Sequence, residues 1–380
     1  MKVGIITLFD LNNVGNRLQN YAVASILKKM GFECETLVPH RLPKTPYRLE
    51  LDKTVGELME CDPCRAQEEN SQMCRILRFE RFTDDFIPWR ELPVSQFGKE
   101  VEKEYDFFVT GSDQVWNPYF KNAIGQIENR LLAFAPPQKR VCFAPSIGVD
   151  DIPKHLYELF EKEWSQYRCL SAREKTGCDL IKKITGRDAT VVIDPTLMID
   201  VEEWLSMASP MPGFDYEKEY VLFYFLGEPE DEMTQGMKDF IKNEVVDKGI
   251  KTVRLFDKED SVMNSPGPSQ ILDLIRHAKM IVTDSFHGTV FSILLGRPFI
   301  LADRTLVISD SVINMSGRIH TLLDTLGLND RLPQNEPWNN KSVWEAPGEE
   351  TYYRLDSQRK KAMEFLHRAF GMEDVNDRKY

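Results

Sequence analysis

The chain has 380 residues and a formal net charge of −12 at pH 7, from 48 Lys and Arg against 60 Asp and Glu. Hydrophobic residues make up 42% and charged residues 28%, proportions that exclude a disordered or fibrous protein. The acidic balance argues against a broad surface for nucleic acid. The apolar runs are far shorter than the roughly 20 residues of a membrane-spanning helix, so no integral membrane segment is expected.

The N-terminus is too short an apolar run for a secretory signal and is interpreted as the first buried strand of a cytoplasmic protein. The cysteine count of 7 is odd, which fits a reducing compartment. Cys61, Cys64 and Cys74 form a group, but a structural zinc site takes four ligands, and no histidine lies between His40 and His155. Free thiols are therefore favoured over a metal site, and no metal or cofactor is expected.

Strand-like and helix-like segments alternate along most of the chain, which predicts an α/β fold with parallel sheets. The N-terminal segments are predicted as strands at 2–8, 34–38, 107–111, 140–147, 169–173 and 189–193, with helices at 18–29, 156–166 and 176–185. Residues 39–100 are rich in charge and proline and break this rhythm. They are predicted as an insertion with helices near 53–60 and 75–86.

The C-terminal segments repeat the alternation after a Pro- and Gly-containing break at 206–213, which is interpreted as a linker. They are predicted as strands at 220–226, 252–256, 279–283 and 299–302, with helices at 231–248, 269–278, 287–295, 316–326 and 351–370. The predicted domains are therefore 1–205 and 214–345, followed by a C-terminal helix within 346–380 that could pack back on the N-terminal domain.

Two Rossmann-like, doubly wound domains that face a cleft are similar to the glycosyltransferase B architecture. Ligands of open α/β sheets bind beyond the carboxyl ends of the strands, so polar residues that follow a strand are candidate site residues. Asp284-Ser285-Phe286-His287-Gly288-Thr289 is such a segment, because a predicted helix begins near His287. A helix N-terminus favours anions, and histidine can move a proton near neutral pH. The alternative is a structural histidine that caps the turn.

Two arginines are candidate anion ligands. Arg173 ends a predicted strand, and its planar guanidinium suits a carboxylate or phosphate. An ion pair with Glu174 at the surface explains it equally well. Arg318 follows Ser316 in the first turn of a predicted helix, where the helix dipole disfavours a cation. This local cost indicates either a bound anion or simply an exposed arginine.

Two polar turns offer partners for sugar hydroxyls. In the turn after strand 107–111, these partners are Asp113, Gln114 and Asn117, whereas Trp116 is expected to pack in the core. The alternative is a turn whose Asp and Asn bond their own backbone. In the first strand-to-helix turn, Gly15 permits a close backbone approach and the amides of Asn16 and Gln19 follow it, with plain helix capping as the alternative.

In this order the segments resemble the polysaccharide pyruvyl transferase family. The matching stretches cover about residues 1–330: Gly4–Ala22, Gly111–Asn117, Arg173-Glu174, Asp194-Pro195-Thr196, Asp284–Thr289 and Ser316-Gly317-Arg318-Ile319. The resemblance implies transfer of a pyruvyl group from phosphoenolpyruvate to two hydroxyls of a sugar in a polysaccharide or its precursor. A cyclic ketal forms and phosphate is released. Phosphoenolpyruvate is thus the implied donor substrate, and a sugar or lipid-linked glycan is the implied acceptor.

The resemblance also implies roles for individual residues. His287 is tied to donor binding and catalysis, and Arg173 to the donor's anionic groups. Family members often carry arginine two residues before this histidine, where this chain has Ser285, so Arg318 is expected to supply the missing charge. The expected catalytic residues are His287, Asp113 and Asp284; the donor ligands are Arg173, Arg318, Ser285, Gly288 and Ser316; and the acceptor ligands are Gly15, Asn16, Gln19, Gln114 and Asn117.

Two alternatives remain at this stage. The fold outline also fits a glycosyltransferase of the B type that uses a nucleotide sugar, and the serine at position 285 mildly favours it. A catalytically inactive, sugar-binding relative is the second alternative, although a binding module has no need of a proton-transfer group. A cytoplasmic location is expected, with peripheral association at the inner face of the membrane left open.

Overall fold

The computed structural model describes residues 1–10, 12–39, 44–92, 99–119, 127–303, 305–308, 311–314 and 317–372. The N-terminal strands are β1 Lys2–Ile6, β2 Glu33–Pro39, β3 Trp89–Leu92, β4 Phe107–Thr110 and β5 Arg140–Cys142. They form one parallel sheet in the order β3-β2-β1-β4-β5. Because the strand order reverses between β1 and β4, the loops that follow these two neighbours open a crevice at the carboxyl edge.

Helices connect and cover this sheet, so that Val3 and Ile5 of β1 are fully buried. The helices of this half are α1 Val14–Lys29, α2 Pro46–Cys61, α3 Pro63–Phe86, α4 Lys99–Glu102, α5 Ile127–Arg130, α6 Tyr157–Trp164, α7 Lys175–Thr185 and α8 Val201–Ser206. A separate parallel pair consists of β6 Ser171–Ala172 and β7 Thr190–Val191.

Two segments depart from the prediction. Residues 39–100 are not a mere insertion, because β3 at their far end pairs in parallel with β2 and forms the sheet edge. The strand predicted at 140–147 ends at Cys142. Ala144 and Gly148 then adopt positive φ angles of 47° and 68°, which are incompatible with an extended strand. The chain leaves the sheet there and forms a loop beside β4.

The C-terminal half has a second parallel sheet in the order β11-β10-β8-β9. The strands of this sheet are β8 Tyr220–Tyr224, β9 Lys251–Arg254, β10 Met280–Thr283 and β11 Phe299–Leu301. The helices between them are α9 Pro229–Glu232, α10 Gln235–Phe240, α11 Pro268–His277 and α12 Phe286–Leu294. An antiparallel hairpin of β12 Thr305–Ile308 and β13 Ser311–Asn314 follows, and then α13 Gly317–Leu326 and α14 Glu349–Phe370.

The single helix predicted at 231–248 is divided in the structure. Met233 has extended backbone angles after α9, and the Thr234 side chain then caps α10 by accepting a hydrogen bond from Met237 N. Residues Ile241–Val246 continue as a π-helix. A threonine that bonds a backbone N–H in this way starts a new helix, which the apolar spacing alone does not reveal.

The last helix, α14, returns to the N-terminal half. Phe370 near its end packs on Phe32 and Phe107, at ring-centroid distances of 4.6 and 5.1 Å. Trp116 lies fully buried against Trp164, as expected from the sequence. The core is therefore continuous from the first sheet into the helices that flank the second.

Candidate active site

The segment that carries His287 is held rigidly at the carboxyl end of β10. Thr283 Oγ1 accepts a hydrogen bond from Ser285 N at 2.9 Å and donates to Tyr224 O on the neighbouring strand at 2.5 Å. Ser285 is the N-cap of α12, because its Oγ accepts from Gly288 N. These bonds place the imidazole of His287, which is only 7% exposed, in the first turn of α12.

Arg173 is the centre of a buried ion cluster in the N-terminal half. Its Nη1 donates to Asp194 Oδ2 at 2.7 Å, and its Nη2 donates to Asp113 Oδ1 at 2.8 Å. The side chain of Arg173 has no exposed surface, and its guanidinium lies over the ring of Phe286 at 4.3 Å. Asp113, which follows β4, and Asp194, which follows β7, are therefore brought together from separate loops by one guanidinium.

Asp194 is the most firmly held carboxylate of the cluster. Its Oδ1 accepts hydrogen bonds from Thr196 N and Thr196 Oγ1, at 3.0 and 2.7 Å. Its Oδ2 accepts from Arg173 and lies 3.0 Å from Ser112 Oγ, within hydrogen-bond distance. Such a set of donors stabilises the ionised form of a buried carboxylate.

His287 completes the cluster from the opposite half of the molecule. Its Nε2 lies 3.9 Å from Asp194 Oδ2. On its other side the ring lies against Gly15 of α1, where a Cβ atom would overlap with Nδ1 and Cγ. The site is thus formed where the N-termini of α1 and α12 meet, at the carboxyl ends of both sheets.

Burial and neighbouring charges set the protonation states of these groups. Burial lowers the pKa of His287, and the charges of Arg173 and Arg318 add to this effect, whereas Asp194 and Asp113 oppose it. Burial raises the pKa of Asp113 and of Asp194, but the positive charges of Arg173 and His287, with Arg318 for Asp113 and the hydrogen bonds from Thr196 for Asp194, together outweigh it. Both pKa values therefore lie below their ordinary range. At neutral pH the cluster therefore combines a neutral imidazole with two ionised carboxylates.

Arg318, in the first turn of α13, belongs to the same cluster. It is 6% exposed, and its charge lowers the pKa of both His287 and Asp113. The N-terminus of α13 is adjacent to that of α7, since Lys175 N donates to Thr321 Oγ1 and Gly317 lies next to Thr176. Ser316, the other donor ligand predicted in this segment, lies outside the described residues.

The structure places Arg173 in an ion cluster within the protein, and its predicted role toward the donor stays a prediction. The guanidinium is fully buried and already bonded to two carboxylates, so the contacts that the structure shows are those of a residue that positions Asp113 and Asp194. The alternative pairing with Glu174 is absent as a direct bond among the described residues. Glu174 Oε1 instead accepts hydrogen bonds from Ile147 N and Gly148 N, at 2.8 and 3.0 Å.

Asp284, a predicted catalytic residue, is bonded to the backbone in the structure. Its Oδ1 accepts a hydrogen bond from Leu226 N at 2.7 Å and its Oδ2 from Gly227 N at 3.0 Å, and the residue is 2% exposed. Both oxygens therefore hold the loop after β8. Gly288 likewise serves packing, because a Cβ atom there would overlap with Thr283 Oγ1, and its N–H is bonded to Ser285.

The predicted acceptor ligands are largely occupied by the protein itself. Asn16 accepts from Asp10 N and Arg17 Nη2, and Gln19 bonds Thr7 Oγ1 and Ser112 N. Asn117 is fully buried and donates to Gln114 Oε1 at 2.9 Å. These bonds argue against direct contact of the three amides with an acceptor. Gln114 is 7% exposed and stays a predicted ligand, and Gly15 contacts the imidazole of His287 instead.

Sequence reasoning missed the central role of Asp194. The signal was present, since Asp194-Pro195-Thr196 directly follows a predicted strand and is one of the stretches that carry the family resemblance. Proximity along the chain favours Asp284 instead, which lies only three positions from His287. Such proximity was a poor guide, because Asp194 follows a strand of another sheet and its Oδ2 nevertheless lies 3.9 Å from His287 Nε2.

Comparison with known proteins decides the family. The family model described as polysaccharide pyruvyl transferase matches residues 13–304, which is most of the chain. Among the residues of the buried cluster, only Arg318 lies outside this match. The protein belongs to this family. No curated protein sequence matches it. A polysaccharide pyruvyl transferase is a transferase, so the family assigns the protein to that class of enzyme.

Solved structures with this fold share little sequence with this pyruvyl transferase family member. Anabaena Alr3699/HepE, in complex with UDP and glucose, covers 96% of this chain and 99% of its own at 11% identity, with a TM-score of 0.50. A putative UDP-N-acetylglucosamine 2-epimerase from Listeria monocytogenes covers 98% and 97% at 12% identity, with a TM-score of 0.49. The likeness to Alr3699/HepE and the two parallel sheets identify a glycosyltransferase B-like fold. Because the sequence identity is only 11%, this likeness shows the fold alone.

Three further findings concern the part of the chain that the structure describes. It contains no group of three or more His, Cys, Asp or Glu side chains that could hold a metal ion. None of its helices is long and apolar enough to cross a membrane. Cys61 and Cys64 are exposed and Cys74 is buried, and all three are free thiols.

Proposed function

We propose that the protein transfers the pyruvyl group of phosphoenolpyruvate to two hydroxyls of a sugar and releases phosphate. Family membership supports the reaction class. The observation that carries the proposal is the buried cluster at the junction of the two sheets, where a neutral imidazole faces two ionised carboxylates. This combination suits a reaction in which protons move between oxygen and carbon without water.

The atoms of this reaction balance as follows. Two C2–O bonds form to the sugar oxygens, and the C2–O bond to phosphate breaks. The proton of one hydroxyl is delivered to the methylene carbon, which becomes a methyl group, and the proton of the other leaves with phosphate. The reaction therefore needs one group that accepts a proton from a hydroxyl and can deliver it to carbon, and we assign this role to His287.

The carboxylates support this proton transfer electrostatically. When His287 takes up a proton, the imidazolium faces Asp194 at 3.9 Å, and the charge of Asp113 also favours this state. Burial removes competing water, so these charges act more strongly than they would at the surface. Asp113, which is 5% exposed, is the carboxylate that could also touch the substrate.

The donor carries a carboxylate and a phosphate and needs positive partners. Arg173 is neutralised by its two carboxylates, so we assign donor binding to Arg318 together with the N-termini of α1 and α12. The first turns of these two helices contain no acidic residue that would repel the donor. A sugar or lipid-linked glycan would supply the two hydroxyls, with the protein acting in the cytoplasm or at the inner face of the membrane.

A phosphate-release screen tests the proposal. Purified protein is incubated with phosphoenolpyruvate and a panel of lipid-linked and nucleotide-linked sugars, and acceptor-dependent phosphate is measured beside His287→Gln. Release that depends on both acceptor and His287 supports the function. Thermal protection by a nucleotide sugar but not by phosphoenolpyruvate would instead indicate a nucleotide-sugar glycosyltransferase. Protection without turnover across the panel would indicate an inactive, sugar-binding relative.

A further inference from the structure

The two nitrogens of His287 lie in different surroundings. Nε2 is buried and points to the side of Asp194, and it has no hydrogen-bond partner among the described residues. Nδ1 lies on the opposite side, beside the backbone of Gly15. Because Nε2 is buried, the 9% of this side chain that is exposed belongs to its other atoms. One nitrogen therefore faces a fixed carboxylate, and the other faces the junction between the two helices.

Asp194 is suited to orient the imidazole because it cannot easily move. Thr196 holds Oδ1, while Arg173 donates to Oδ2, which is the oxygen that faces Nε2. The separation of 3.9 Å is longer than a hydrogen bond. Catalytic hydrogen bonds are often long in a free enzyme and shorten when charge develops on the base. A carboxylate beside one nitrogen favours the tautomer that carries its proton there.

We propose that Asp194 is a positioning residue that keeps the proton of neutral His287 on Nε2, so that Nδ1 exchanges the proton with the substrate. This inference rests on the proposed function for the identity of the reaction. The position of the proton on His287 in the free protein does not depend on that function. It also assigns a purpose to Gly15. Any side chain at that position would occupy the space beside Nδ1 and displace the working nitrogen.

The charged groups that act on the imidazole come from four separate segments. Asp194 and Asp113 favour the charged form, whereas Arg173 and Arg318 disfavour it. Replacement of Asp194 by asparagine removes the carboxylate that faces Nε2 and leaves both arginines in place. The pKa of His287 should therefore fall further, and the position of the proton on the neutral ring distinguishes positioning by Asp194 from a purely structural role.

The first experiment is nitrogen NMR of the free protein labelled with 15N-histidine, with His287→Gln used for assignment. We expect the neutral ring of His287 to carry its proton on Nε2, and we expect Asp194→Asn to lower the pKa of this ring. Asp273→Asn is the matched control, because Asp273 is also buried and lies 3.5 Å from another histidine, His277. A proton on Nδ1, or an unchanged His287 pKa in a folded Asp194→Asn protein, would overturn the proposal.

The second experiment addresses Nδ1 and keeps the proposal testable if Asp194→Asn does not fold. Gly15→Ala should lower acceptor-dependent kcat by roughly 10²–10⁴-fold, the range of positioned acid–base catalysis, with a smaller change in donor KM. Gly56→Ala is the control, since a Cβ atom there meets nothing within 4 Å. Full kcat in folded Gly15→Ala would refute the role of Nδ1. Because the NMR result needs no donor, it remains valid if phosphoenolpyruvate proves not to be the substrate.

Discussion

The imidazole of His287 lies directly against Gly15, so close that a Cβ atom on this glycine would overlap with the ring. Gly15 stands in the first turn of α1 and His287 in the first turn of α12, and the two helices belong to different halves of the molecule. Each helix N-terminus carries a partial positive charge. At the point where these two N-termini meet, a neutral imidazole beside a bound anion is therefore favoured over an imidazolium without an anion.

Replacement of His287 by glutamine should abolish acceptor-dependent phosphate release, with a loss of roughly 10²–10⁴-fold if residual positioning remains. The fold should be retained, because the imidazole is neutral and makes no hydrogen bond among the described residues. Initial rates and thermal unfolding measure the two effects separately. His155→Ala is the control, since His155 is exposed and distant in sequence from His287. Equal turnover in the His287 variant would remove this residue from the mechanism.

Donor binding should be coupled to proton uptake. The pKa of free His287 is lowered, first by burial and then by the arginines, and a bound anion should raise it again. Calorimetry of phosphoenolpyruvate binding near neutral pH, in buffers of different ionisation enthalpy, should reveal uptake of up to about one proton. His287→Gln should bind without this uptake. The same binding enthalpy in all buffers would contradict the prediction.

The free energy of unfolding should fall as the pH is lowered. A histidine whose pKa is depressed in the folded state takes up its proton in the unfolded chain first, so its contribution is lost below about pH 6.5. The lowered pKa values of Asp113 and Asp194 cause a further loss below about pH 4. Urea unfolding of wild type and His287→Gln at several pH values separates the two. A wild-type slope between pH 7 and 5 that the variant shares would show that His287 is not responsible.

Arg173→Ala should destabilise the protein strongly, because it leaves Asp113 and Asp194 buried without their shared counter-ion. Loss of one partner from a buried ion pair costs about 3–5 kcal/mol. Chemical denaturation measures this cost. Lys175→Ala is the control, because the neighbouring Lys175–Asp179 pair is largely exposed and should contribute little. Wild-type stability combined with weakened donor binding would instead restore Arg173 as a direct donor ligand.

Arg318→Gln should raise the donor KM more than it lowers kcat, since we assign Arg318 to the donor's negative charge. It should also raise the pKa of His287, because Arg318 lowers it in the wild type. The acid limb of the pH profile of kcat/KM should therefore move to higher pH. Initial rates over a pH series measure both effects. A profile and donor KM that do not change would separate Arg318 from the site.

Much of the fold follows from patterns that are local in sequence. Buried strands and helices with apolar residues three and four apart alternate, and this predicted the α/β class. Strand-to-helix turns at the carboxyl edge of a sheet also pointed to His287 and Asp113, and the helix dipole pointed to Arg318. The structure brings these three side chains into one cluster, and their roles stay predictions. Local patterns were less reliable where a single side chain changes the backbone. Thr234, for example, starts a new helix inside an apolar spacing that looks continuous.

The sequence alone determined the type of fold, the family and the histidine at the centre of the site. Only the tertiary structure decided which charges surround that histidine. Asp284 and Asp194 both follow strands, but Asp284 holds the backbone after β8, whereas Asp194 faces Nε2 of His287 and binds Arg173. The reason is physical: a buried charge takes its partner from whichever loop packs against it, and residues 194 and 287 become neighbours only when the two sheets meet.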